Sequence, residues 1–147
     1  MKPRSKARAA ARLAAVQALY QHQMEETPLA RLLDEFHLHR LGAEIDDEQY
    51  AQAETAFFDD IVKGVLSRRE EIDGLLSEKL SDGWTLARLD KTMLQILRAG
   101  AYELLARADV PTGAAISEYV DVAHAFFEER EAKFVNGLLD TVAKAVR

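Results

Sequence analysis

Apolar residues recur every three or four positions along this sequence and nowhere alternate strictly between turn signals, which restricts the chain to packed helices. Ala9, Leu13, Val16, Tyr20 and Met24 gather on one side of a helix turning about 100° per residue. Leu29, Leu32, Leu33 and Phe36 repeat the pattern, as do Phe57, Phe58, Ile61, Val62, Val65 and Leu66, then Ile72, Leu75, Leu76 and Leu80. Towards the C-terminus, Ile116, Tyr119, Val120, Ala123 and Phe127 form one such face, and Phe134, Val135, Leu138, Leu139, Val142 and Val146 another. The fold class read from this is all-α, with six or seven helices.

Turn chemistry places the joints. Thr27-Pro28 reads as an N-cap followed by proline at the first helical position, and Gly42 reads as the stop of that helix near Leu41. Residues 42–48 form an acidic connection. From Gln49 to Leu80 the pattern fits one helix flexed near Gly64 or two end to end, and the sequence leaves both open. Ser81-Asp82-Gly83 is a break, with Trp84 and Leu86 as apolar plugs before a helix over about Asp90–Ala108. Asp109-Val110-Pro111-Thr112-Gly113 is a turn in which Pro111 cannot continue the preceding helix, and Glu128-Glu129-Arg130-Glu131 is a charged connection or helix end. Residues 81–88 are the expected seam of a single domain, 1–147, with halves 1–80 and 81–147.

Charge is segregated along the chain. The net charge is −6 over 147 residues, yet Lys2, Arg4, Lys6, Arg8 and Arg12 all precede the first acid, Glu25. Residues 1–24 therefore carry +5, and the other 14 bases and 25 acids sum to −11. Bases at a helix N-terminus oppose the macrodipole and invite a compensating anion, such as a nucleic-acid phosphate. No apolar run approaches the roughly 18 residues of a membrane span, and no secretory leader is evident, so a cytoplasmic protein is expected. Lys144 and Arg147 read as a natural end.

Catalytic constellations are missing from the sequence. With no cysteine, thiol chemistry and cysteine-ligated metals are excluded. His22, His37, His39 and His124 read as surface residues, since His37 and His39 point apart on a helix. Asp59-Asp60 and Glu128-Glu129 read as solvated faces, and neither a phosphate-cradling glycine loop nor a nucleophile elbow is present. The reading is of a chain that is not an enzyme and uses no cofactor or metal.

The segment Ala11-Arg12-Leu13-Ala14-Ala15-Val16-Gln17-Ala18-Leu19-Tyr20-Gln21 resembles the start of the NusB family of transcription antitermination factors. Gly64-Val65, Ile72-Asp73, Trp84 and Arg88-Leu89 continue the likeness, followed by Ile96-Leu97-Arg98-Ala99-Gly100-Ala101-Tyr102-Glu103-Leu104. Val110-Pro111, Ala115 to Ala123, and Lys133-Phe134-Val135-Asn136-Gly137-Leu138-Leu139-Asp140 complete it in order. The resemblance implies two small helical bundles packed at about right angles. It also implies binding of boxA RNA with NusE, a small-subunit ribosomal protein, so that RNA polymerase passes terminators during ribosomal RNA synthesis.

Carried onto this chain, the resemblance makes Lys2, Arg4, Lys6, Arg8 and Arg12 phosphate contacts. Gln17 lies on the same helix, and Lys133 and Asn136, one turn apart, face RNA together. Tyr20 serves RNA stacking, the protein partner or the core, while Gly137 permits close helix packing and Phe134 and Leu138 fill core. Met93 stands where relatives often carry an acid used against NusE, which moves that charge to Asp90 or removes it. Ser117 replaces a frequent asparagine and changes little. Alternative readings are a recognition domain of the kind found in certain ribosomal RNA cytosine methyltransferases, and a structural scaffold; a homodimer of the free protein is also open.

Overall fold

The computed structural model describes residues 3–39, 41 and 48–147, with the side chains of 5–39, 41 and 54–147. Among the described residues there are seven α-helices, one short 3₁₀ turn and no strand. They are α1 (Pro3–Glu25), α2 (Leu29–His39), α3 (Glu48–Ser67), α4 (Arg69–Lys79), α5 (Lys91–Ala106), α6 (Thr112–Phe126) and α7 (Glu129–Val146), with the 3₁₀ turn at Leu86–Arg88. The predicted Gly42 stop and the acidic connection up to residue 47 lie outside the described residues.

Two compact units divide the chain, Met1–Lys63 and Gly64–Arg147. The boundary falls inside α3, earlier than the seam expected at 81–88. The Ser81–Gly83 break is a real one, with Gly83 at φ 86, but α4 before it packs on α5 and α7 after it, so both sides belong to one unit.

In the first unit, α1 packs on α2, and of the predicted stripe Val16 is buried while Ala9 and Leu13 are half-buried. Ala7, Ala11, Ala15, Ala18 and Leu19 are buried, whereas Tyr20 and Met24 are exposed. Methyl-sized side chains let the helix axis approach its neighbours closely, and the bulkier stripe is pushed to the rim. Chain reversal after α1 uses Glu26 in the left-handed region, φ 56, where its N–H donates to the His22 carbonyl. Between α2 and α3, Phe36 stacks on Phe58 with ring centroids 5.4 Å apart, and His37 Nε2 lies 2.6 Å from Asp59 Oδ1. His37 is thus half-buried and paired, not simply a surface residue.

The long segment 49–80 is two helices. Their joint is Arg68, at ψ 22, rather than Gly64. Arg68 donates to both oxygens of Glu71 at 2.8 and 3.0 Å, which holds the Glu71 carboxyl below its usual pKa and places an acid in the first turn of α4. In the second unit, α5, α6 and α7 pack pairwise around Leu94, Leu97, Ile116, Tyr119, Val135 and Leu139, all buried. The buried Tyr119 hydroxyl donates to Glu103 Oε2. Trp84 is not a plug: it is 51% exposed, and the Arg88 guanidinium lies 5.4 Å from its ring centroid.

Arg147 closes this unit. Its guanidinium donates to the carbonyls of Leu104 (2.9 Å), Glu103 (3.2 Å) and Arg107 (2.8 Å) at the end of α5. It also reaches the Val110 carbonyl at 2.7 Å and Thr112 Oγ1 at 3.0 Å. A cation on the last carbonyls of a helix opposes the negative end of the dipole and adds donors there, the Glu103 carbonyl already accepting from the Arg107 N–H. Arg147→Ala is expected to cost about 1–2 kcal/mol, read as a melting midpoint lower by about 2–8 °C.

Candidate nucleic-acid interface

The first unit carries the basic arm. Lys6 is exposed, Arg8 is half-buried and Arg12 is 4% exposed, while the side chains of Lys2 and Arg4 lie outside the described residues. Both Arg8 and Arg12 lie over the Phe57 ring of α3, their guanidinium carbons 4.6 and 4.9 Å from its centroid. Arg12 therefore falls inside the buried arc of α1, not in solvent where the expected phosphate contact would need it. Gln17 is half-buried and Tyr20 is 40% exposed on the same helix. No acid stands in the first turn of α1, where one would complement the dipole's positive end.

The second unit holds two adjoining recesses. The larger, about 620 Å³, is lined by Trp84, Arg88, Met93, Phe127, Glu131 and Phe134, with Leu89, Asp90 and Arg130 at its edges. Met93, expected at a partner surface, is 5% exposed and lies in the wall of this groove. Asp90 is the N-cap of α5, its Oδ1 accepting from the backbone N–H groups of Thr92 (2.8 Å) and Met93 (3.1 Å). Beside the groove's aromatic wall, Glu131 Oε2 is buried with no hydrogen-bond donor among the described residues.

The smaller recess, about 240 Å³, is lined by Lys79, Ser81, Lys133, Gly137 and Thr141, with Phe134 shared between the two. Lys133 and Asn136 are both exposed on α7. Gly137 does not serve packing: a Cβ there meets nothing within 4 Å. Leu138 is buried as expected, but Phe134 is only half-buried because it forms the wall between the recesses. Among the described residues no group of His, Asp and Glu is placed to hold a metal ion, and no helix is long and apolar enough to cross a membrane.

Residues 9–144 match the NusB family. The chain belongs to that family. The transcription antitermination protein NusB of Novosphingobium aromaticivorans is 78% identical over 142 residues, covering 97% of this chain and 96% of that one. A solved T. maritima NusB superposes with a TM-score of 0.77 at 32% identity, covering 98% of this chain and 92% of that one. The fold is shared also with a structure of the antitermination factors NusB and NusE in complex with dsRNA, at a TM-score of 0.78 and 24% identity, covering 95% and 98%. NusB-family membership places this chain among the transcription antitermination proteins.

Two residues outside the candidate site emerge from the geometry. Phe57 shows in the sequence only as one apolar residue in a helical face, because a cation–π partnership across helices has no local spacing signature. Glu131 reads as part of a charged run, and its unpaired oxygen becomes visible only once α7 begins at Glu129.

Proposed function

We propose that this chain is a cytoplasmic factor that binds boxA-type single-stranded RNA together with a NusE-type ribosomal protein, and in that assembly helps RNA polymerase pass terminators. The observation that carries the RNA part is the acid-free, basic start of α1, with exposed Lys6 and half-buried Arg8, in a chain that is otherwise strongly acidic. Cations grouped in this way bind phosphate with release of counterions, whatever the overall charge. Lys2 and Arg4 add charge to the same stretch of sequence, and Gln17 is half-buried further along α1. Lys133 and Asn136 add a cation and an amide on α7, and the amide is the group able to read a base edge.

The groove beside Met93 suits the protein partner. It offers apolar walls in Trp84, Met93, Phe127 and Phe134, and a buried carboxylate oxygen in Glu131 that a donor from the partner would satisfy. Asp90 borders it, and Tyr20 offers a separate exposed aromatic contact on α1.

Fluorescence anisotropy with labelled boxA-like and scrambled RNA tests this reading, at two salt concentrations, with and without the NusE-type protein. Selective binding that the partner strengthens is expected. Lys6→Glu combined with Arg8→Glu should weaken binding to both RNAs by at least about tenfold and flatten the salt slope by roughly 1.4, for two lost phosphate contacts on single-stranded RNA. Arg12 is left alone, since a reversal there would place a new charge in the buried face of α1. Asn136→Ala should narrow the preference for boxA while leaving scrambled RNA unaffected. Equal, weak binding to both RNAs that the partner does not change would remove the functional reading and leave the fold.

A further inference from the structure

One aromatic ring supports two cations of the basic arm. Arg8 and Arg12 stand one turn apart on α1, where like charges repel and the N-terminal end of the helix adds positive potential. The Phe57 ring, its centroid within 5 Å of both guanidinium carbons, adds negative potential at both. Phe57 is itself buried, 4% exposed, on the helix whose next residue, Phe58, stacks on Phe36. A guanidinium stacked on a ring uses the face of its plane, while its five N–H donors lie around the edge.

We propose that Phe57 is a positioning residue for RNA binding: its ring holds Arg8 in the orientation that meets phosphate, with Arg12 stacked on the same ring as buried support. The proposal rests on the RNA reading above. A flexible arginine must lose most of its rotamers when it grips a phosphate, whereas one already laid on a ring has lost them on folding. Phe57 thereby contributes to affinity without touching RNA, and it contributes equally for every RNA sequence because phosphates carry no sequence information.

The test replaces Phe57 in the full chain by a trifluorinated phenylalanine, which keeps the ring's shape and weakens its quadrupole, and by leucine, each alone and combined with Arg8→Gln. The readout is anisotropy with labelled boxA-like and scrambled RNA, with circular dichroism to confirm equal helicity. Fluorination is expected to weaken binding to both RNAs by about threefold to tenfold, and Phe57→Leu by at least as much. On the Arg8→Gln background, fluorination should change affinity by less than about twofold, since the cation it positions is gone. Affinity that is indifferent to fluorination, in a wild-type chain that binds RNA with salt dependence, overturns the positioning role and leaves the RNA reading standing. A loss that persists at full size on Arg8→Gln overturns it as well. Wild-type protein without salt-dependent RNA binding fails the RNA reading, and the role of Phe57 with it.

Discussion

Gly64→Ala is expected to destabilise the chain by about 1–3 kcal/mol, seen as a lower urea midpoint with an unchanged slope. On an open helix surface the same change stabilises by roughly 0.5–1 kcal/mol, because alanine has less backbone freedom to lose than glycine. At Gly64 the sign reverses. A Cβ there lands on the Tyr102 ring, meeting Cζ, Cε1 and the hydroxyl, and Tyr102 is itself buried in α5. On a Tyr102→Ala background the clash is absent, so adding Gly64→Ala should be neutral or stabilising. Gly137 supplies the opposite case. It lies inside α7, exposed, with nothing within 4 Å of an added Cβ, and Gly137→Ala should raise stability by about 0.5–1 kcal/mol. A raised midpoint for Gly64→Ala, or a lowered one for Gly137→Ala, would break this packing account.

The two glycines show where sequence reading stops. Both interrupt a helical pattern, and nothing local distinguishes the one under an aromatic ring from the one facing open space. The helices themselves are legible, because apolar period and turn residues are local signals: α5 starts one residue from its expected position, on the Asp90 cap. Burial on α1 was less legible. Periodicity weights large apolar residues and so favours Tyr20 and Met24, while the packed face is made of alanines whose value lies in close approach. Arg12 escapes sequence reading for a different reason. A guanidinium reads as solvent-facing until the Phe57 ring that receives it, 45 positions along the chain, is in place. The arm's charge needed no fold to be seen; the burial of Met93 and the stranded oxygen of Glu131 needed all of it.

Asp73→Ala is expected to cost about 2–4 kcal/mol. Both oxygens of Asp73 on α4 accept from Arg98 on α5, at Nε and Nη2, each at 2.8 Å. The Arg98 side chain is 11% exposed, so removing the acid takes two charge-assisted hydrogen bonds from a nearly buried cation. The partners are unequal. Arg98→Met leaves an aspartate that is 27% exposed and able to recover water, so it should cost only about 1–2 kcal/mol, and Asp73→Leu with Arg98→Met should lie closer to wild type than Asp73→Ala alone. Urea is the denaturant of choice, since guanidinium would screen the pair under test. Asp73 and Arg98 both fall within segments that carry the family resemblance, yet their geometry assigns them to joining two helices. Under conditions where Asp73→Ala remains fully folded, its RNA affinity should therefore equal wild type. A drop there would show that the α4–α5 junction also shapes the RNA surface.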